Sequence, residues 1–252
     1  MTTYDLYLES GPRRRKTMIH VLDLLGCVAL GPTTEDALAA TPDAIRAFRR
    51  FLRRHGEPLD ADGLFATRIA EHVTAGAWLG NGSPYLLFRP DRAALTEDEL
   101  DRYLRRFRWL REELAGWAAS RTPAQLDATP AGGGRTARAI LLHVIGPTGS
   151  YLSAALGSAP GFSAVSRAAE RGELALPEAL LRTATLAEER VRATTPRERA
   201  ALRELPKGPR TLRQALRRML EHDWEHLAEL TGRADGPRPA GEADGEGEDP
   251  RD

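Results

Sequence analysis

Cysteine and lysine are scarce in this sequence. One of the 252 residues is cysteine, which excludes an intrachain disulfide and any metal or iron–sulfur site built from several cysteines. Lys16 and Lys207 are the only lysines, so arginine supplies almost all of the positive charge. The 36 basic residues balance 36 acidic ones, and a net charge of zero argues against binding to nucleic acid through bulk charge. We therefore expect no nucleic-acid partner.

Long apolar runs and targeting segments are also missing. No apolar run approaches the roughly 20 residues that a membrane span needs, and the N-terminal MTTYDLYLES has no basic start followed by an apolar stretch. We expect a cytoplasmic protein without a membrane partner. The abundance of arginine, alanine, glycine and proline is typical of a GC-rich bacterial genome. Basic runs are therefore not interpreted as phosphate sites.

The first 90 residues predict an α+β domain, a small antiparallel sheet plus a helix. Short alternating or β-branched segments separated by glycine and proline are typical of strands. Acidic residues directly after a threonine are typical of a helix start. The segments predict strands at 4–9, 17–24, 27–30, 64–73 and 84–89, and a helix from Thr33 to His55.

From Thr96 onward the apolar residues recur at helical spacing. Four amphipathic segments predict an all-α four-helix bundle over residues 91–232. The change of period near residue 90 predicts two domains with separate cores. Residues 233–252 contain no large apolar side chain, so we expect a disordered tail. The predicted helices are 96–119, 135–157, 176–194 and 211–231.

Three of the six histidines form the candidate site. His222 and His226 are four residues apart, which places both on one face of a helix, about 6 Å apart along its axis. They share the apolar stripe of that helix, and His143 lies between Ile140 and Val144 on another apolar helix. Buried unpaired imidazoles are costly, and a shared divalent ion removes that cost.

Other interpretations of these histidines stay open at this point. A His-x-x-x-His pair is often a surface pair or two hydrogen-bonded core residues. The neighbouring Glu221, Asp223 and Glu225 are expected to be exposed, or to accept the second imidazole N–H, rather than to bind a metal. Zinc and nickel both accept three imidazoles plus water, so either metal fits.

Residues 95–232 resemble the DinB-like superfamily, which includes thiol-dependent S-transferases and the mycothiol-dependent maleylpyruvate isomerase. The matching features are Gly134–Val144 and the pair His222-x-x-x-His226. The resemblance implies a four-helix bundle in which His143, His222 and His226 hold one divalent ion. It also implies a low-molecular-weight thiol as substrate. It identifies no catalytic residue in this sequence.

Residues 4–56 resemble the HicB-like antitoxin fold. The matching residues run from Leu22 to Gly31 and from Thr33 to Leu38, and Leu25 stands where that family usually has proline. The resemblance implies a small domain that contacts a protein partner. No segment has the pattern of the helix-turn-helix or ribbon-helix-helix that antitoxins of that family add for DNA binding, which argues against repressor activity. Cys27 lies at an apolar corner of this region and is expected to be packed rather than reactive.

Three functional hypotheses follow. The chain is a metal-dependent thiol transferase or isomerase, a non-catalytic protein-binding module whose bundle is a metal-stabilised scaffold, or a bundle without metal. The sequence does not decide whether it is an enzyme. It also leaves the oligomeric state open.

Overall fold

The computed structural model describes residues 1–12 and 16–232. The predicted disordered tail, 233–252, lies outside the described residues. The strands are β1 (Thr2–Ser10), β2 (Thr17–Val21), β3 (Cys27–Gly31) and β4 (Phe65–Val73). The helices are α1 (Thr34–Arg54), α2 (Glu97–Ala119), α3 (Pro123–Asp127), α4 (Ala137–Ile145), α5 (Pro147–Leu156), α6 (Phe162–Glu170), α7 (Leu176–Arg192), α8 (Pro196–Ala200) and α9 (Leu212–Thr231).

The four strands form one sheet in the order β3-β2-β1-β4, and α1 packs against β2 and β3. The α+β class of this part is confirmed, but the expected antiparallel sheet is mixed. β1 is antiparallel to β2 and parallel to β4. The difference arises because α1 carries the chain back across the sheet, so β4 then runs in the direction of β1.

The predicted strand at 84–89 is wrong. This segment is a loop whose backbone carbonyl groups accept hydrogen bonds from side chains of α9. Gln214 Nε2 donates to the oxygens of Pro84 and Leu86 at 2.9 and 3.0 Å, and Arg217 also donates to Leu86 at 3.0 Å. These side chains satisfy carbonyls that a neighbouring strand would otherwise pair with.

Threonine side chains fix where the main helices begin. Each accepts a hydrogen bond from the backbone N–H three residues later, which satisfies one of the free donors at the helix start. Such a cap contributes about 0.5–2 kcal/mol to stability. The residues are Thr33 before α1, Thr96 before α2, Thr136 before α4 and Thr211 before α9.

The C-terminal part is helical. Its four long helical rods, which are α2, the continuous pair α4–α5, α7 and α9, are those predicted from the sequence. Helix α2 packs against α7 and α9, and the α4–α5 rod packs against both α7 and α9. Gly146 between α4 and α5 has helical dihedral angles (φ −61°, ψ −52°), so the two helices continue along nearly one axis. Pro147 occupies the first turn of α5, where its missing N–H costs little.

One cluster of buried apolar side chains includes residues of both parts of the chain. Phe48 and Phe51 of α1 pack against Trp224 of α9, with ring centroids 5.0 and 5.4 Å apart. Arg106 of α2 reaches into the N-terminal part, where it donates to Glu57. The expectation of two separate cores is therefore wrong. The boundaries 1–90 and 91–232 stay a prediction.

Residues Ala137–Leu156 are long and apolar enough to cross a membrane by length and composition alone. The stretch is not a continuous apolar run in the sequence, because Arg138 and His143 interrupt it. The stretch forms α4 and α5, which pack on α7 and α9, and a helix buried in a protein core meets the same criteria. The cytoplasmic location stays a prediction.

Candidate metal centre

The structure brings the three predicted histidines together. One ring nitrogen of each of His143, His222 and His226 lies within 4.8 Å of those of the others. His143 comes from α4, while His222 and His226 are one turn apart on α9. The Nε2 atoms of His143 and His222 are 3.1 Å apart, and the three ring centroids are separated by 4.6–4.9 Å.

The cluster spans the edge of the bundle from interior to solvent. His222 is buried, His226 is partly buried and His143 is exposed. The expectation that all three face the interior is therefore wrong for His143. The helix buries Ile140 and Val144, and His143 lies at the margin of the face that they form. The result is an imidazole cluster that solvent reaches from one side.

Glu229 sets the proton position on His226. Its Oε2 accepts from His226 Nδ1 at 2.8 Å, because residues three apart on a helix are neighbours. Arg135 donates to the same carboxylate oxygen at 2.8 Å. A proton held on Nδ1 leaves the Nε2 lone pair of His226 free. Glu229 is not among the residues predicted from the sequence, although its spacing of three residues from His226 was a usable signal.

All three imidazoles favour the neutral form that a metal requires. Burial lowers the pKa of His143, and the Arg135 charge lowers it further. Burial, with the Arg218 charge next in size, holds the pKa of His222 well below its usual range. Burial and the neighbouring His222 lower the pKa of His226 to about 4.

The acidic residues beside the histidines have other partners. Glu221 and Asp223 are buried rather than exposed. Glu221 faces the sheet and accepts from His20 Nδ1 at 2.7 Å. Glu225 lies near Arg218 at 3.4 Å. Of these three acids, only Asp223 comes near the cluster: its Oδ1 is 3.8 Å from His222 Nδ1, which is too long for a hydrogen bond.

A buried arginine joins the helices around the histidine cluster by hydrogen bonds. Arg111 of α2 is fully buried, and its guanidinium contacts groups on three other rods. It binds Asp223 of α9 at 2.5 and 3.2 Å, Thr183 of α7 at 2.9 Å, and Thr148 and the Val144 carbonyl of the α4–α5 rod at 2.7 and 3.0 Å. Because Asp223 directly follows His222, these bonds fix the rotation of α9 at the cluster.

Cys27 takes no part in the site. Its side chain is fully buried, and burial raises the pKa of the thiol. The prediction of a packed rather than reactive cysteine is confirmed.

Residues 106–230 match the family model of the DinB superfamily. The C-terminal part of the chain is therefore DinB-like, as its sequence motifs predicted. This match covers none of the first 105 residues, and the HicB-like resemblance stays a prediction. No curated protein and no solved structure matches the chain.

Proposed function

We propose that His143, His222 and His226 bind one divalent ion, and that this DinB-like chain uses the ion in a thiol transfer or isomerisation reaction. The observation that carries the proposal is the meeting of three imidazoles from two helices. Hydrogen bonding alone explains this arrangement poorly. One hydrogen bond can join the Nε2 atoms of His143 and His222. Glu229 accepts the Nδ1 proton of His226, so a neutral His226 offers only a lone pair at Nε2 and cannot donate to the other two rings.

The spacing of the imidazole nitrogens fits a zinc ion. Zinc–nitrogen bonds are about 2.0–2.1 Å long, so two imidazole nitrogens in a tetrahedral site are about 3.3 Å apart. The Nε2 atoms of His143 and His222 are separated by 3.1 Å. His226 offers its Nε2 because Glu229 holds the proton on Nδ1. Three neutral nitrogen donors with a solvent-facing side suit zinc or nickel.

A bound divalent ion with open positions lowers the pKa of a water or thiol that binds it. The residues of this chain provide the setting. Glu229 and Arg135 orient His226, and Arg111 with Asp223 fixes the helix that carries His222. The exposed side of His143 leaves a path by which a small thiol enters.

Metal analysis of protein purified without a histidine tag tests the binding step. We expect about one divalent ion per chain, and almost none in the variant with all three histidines changed to alanine. Sub-stoichiometric metal in the wild type after metal-replete growth would exclude the site. A thiol-transfer assay on the loaded protein then separates an enzyme from the alternative, a protein-binding module with a metal-stabilised scaffold. Full metal without thiol chemistry would favour the scaffold.

The Glu229→Gln substitution is expected to weaken metal binding. Glutamine keeps the shape of the side chain but accepts the imidazole proton less strongly, so His226 loses its fixed tautomer. Loss of such a partner typically lowers metal affinity by about 10–100-fold. Competition with a chelator measures the change. Glu112→Gln, at an exposed position of α2, is the control, and equal affinities for the two variants would contradict the role of Glu229.

Metal occupancy is expected to decrease as the pH is lowered, but only at clearly acidic pH. Protons compete with the metal for the imidazole nitrogens. Because the pKa of His226 is lowered to about 4 and those of His143 and His222 are also lowered, this competition begins below the pH at which a free imidazole is protonated. Metal per chain after dialysis at a series of pH values measures the midpoint. A midpoint at or above the ordinary imidazole pKa of about 6.5 would contradict the expectation.

A further inference from the structure

A cavity lies between α5 and α6, outside the histidine cluster. Its volume is about 380 Å³, within the range of small-molecule sites. The two helices approach closely at Gly149, where a Cβ atom would lie 2.4 Å from the Cβ of Phe162. Glycine is therefore required at position 149 for the contact between α5 and α6. Gly149 and Phe162 both line the cavity.

The walls of this cavity are rich in hydroxyl groups. Ser150 and Ser153 line it from α5, and Ser163 and Ser166 line it from α6. The Oγ atom of Ser166 is buried and has no hydrogen-bond partner within the described part of the chain. A buried hydroxyl without a partner is destabilising, because it has lost its hydrogen bonds to water. Such a group is expected to be satisfied by something that enters the cavity.

Two side chains of opposite charge complete the lining. Arg167 and Glu170 are both exposed, and both line the cavity from α6. They are three residues apart, so they are neighbours on one side of that helix, about 5–6 Å apart at their Cβ atoms. A carboxylate and an ammonium group on one small molecule can contact both at once.

The cavity adjoins the rod that carries His143. Gly146, which lines the cavity, follows His143 by three residues with helical dihedral angles. Ser150 lies two turns beyond His143 and nearly in line with it, about 10 Å along the axis. A molecule of moderate length can therefore lie in the cavity with its far end at the histidine cluster.

We propose that this cavity binds an α-amino-acid group, with its carboxylate on Arg167, its ammonium on Glu170 and its remaining polar atoms on the serine hydroxyls. The group belongs either to a free amino acid or to the end of a larger thiol. The second case rests on the proposed function, because the thiol would then point toward the metal.

Isothermal titration of the full chain, purified after metal-replete growth, tests the site with three probes. L-Serine represents a free amino acid. S-methylglutathione carries an amino-acid end on a larger molecule, and its blocked sulfur does not bind metal as a thiolate. N-acetyl-L-serine lacks the ammonium group. We expect saturable binding of L-serine or of S-methylglutathione, and the one that binds identifies the source, whereas N-acetyl-L-serine should not bind. Absence of binding by the first two probes up to roughly 10 mM would overturn the proposal.

Variants of α6 make the test specific. Arg167→Ala and Glu170→Ala should each lower the affinity for the probe that binds by about tenfold or more, because each removes a charge-assisted contact. Arg171→Ala is the matched control, since Arg171 pairs with Glu173 outside the cavity. Unchanged affinity in both cavity variants would refute the assignment.

Two further variants separate this site from folding and from the metal centre. Ser166→Ala should lower the affinity for the probe without lowering the Tm of the free chain, because the Ser166 hydroxyl makes no hydrogen bond within the described part of the chain. His226→Ala should lose metal yet keep its affinity for the sulfur-blocked probe. If metal binding fails in the wild type while the probe still binds, the proposed function fails and this inference stands.

Discussion

Removal of residues 1–90 is expected to leave the remaining helices without a cooperative fold. Helix α9 carries two faces, one that holds His222 and His226 and one that packs on the N-terminal part. On the second face, Trp224 packs against Phe48 and Phe51. Without α1, these apolar contacts would be replaced by water along the central helix of the bundle.

Buried charges on α9 add to this cost. Burial alone would raise the pKa of Glu221, but the charges of His20 and Arg217 lower it to about 2. His20 lies on β2 and is fully buried between Glu221, at 2.7 Å, and Glu9, at 3.6 Å. Removing the sheet deletes His20 and Glu9 together, so the buried carboxylate of Glu221 loses part of its compensation. The hydrogen bond from His20 to Glu221 is thereby lost, and the face of α9 that the sheet covers is left to water.

Circular dichroism and thermal unfolding of the fragment 91–252 check the prediction. We expect reduced helical signal and no sharp transition. The control is a chain truncated after Gly232, because residues 233–252 contain almost no apolar side chains and should be dispensable. A fragment 91–252 that is fully helical and unfolds cooperatively would show that the bundle does not need the sheet.

The sequence predicted the helices of the bundle well because their information is local. Apolar residues at helical spacing identify α2, α7 and α9 within a few residues, and threonine caps mark the starts of α2 and α9. The short helices α3, α6 and α8 were missed, since each is too short for a period to be recognised. The parallel pairing of β4 was missed because strand direction depends on the path of the connecting helix rather than on the strand's own residues.

In the candidate site, too, the spacing of residues along one helix could be read from the sequence, whereas contacts between different elements could not. The spacing of His222 and His226 predicted that they share a face. The position of His143 between Ile140 and Val144 on another apolar helix added the third residue, and the family resemblance supported the set. The sequence did not reveal which acids serve them, because Glu221, Asp223 and Glu225 all lie beside the histidines in the chain. Only the packing of α9 shows that Glu221 and Asp223 turn to buried partners, whereas Glu229 reaches His226 along the same helix, three residues away.

The substitution Asp223→Ala is expected to be among the most destabilising single changes in the chain. Asp223 and Arg111 have side chains only 1% and 0% exposed, and burial raises the pKa of Asp223 against the opposing charge of Arg111. Removing the carboxylate leaves a buried guanidinium without its counter-ion, which typically costs about 3–5 kcal/mol. For a chain of this length, that loss lowers the Tm by roughly 10 °C.

Thermal unfolding in the presence of a chelator measures this effect without any contribution from metal binding. The double variant Arg111→Met with Asp223→Leu should recover a large part of the lost stability, because apolar side chains of similar size replace a buried pair at little cost. Glu173→Ala, which breaks the exposed pair with Arg171, is the control and should leave the Tm unchanged. If Asp223→Ala behaves like that control, the buried pair does not hold α9 in place, and the rotation that presents His222 to the site must be fixed by the apolar packing of that helix instead.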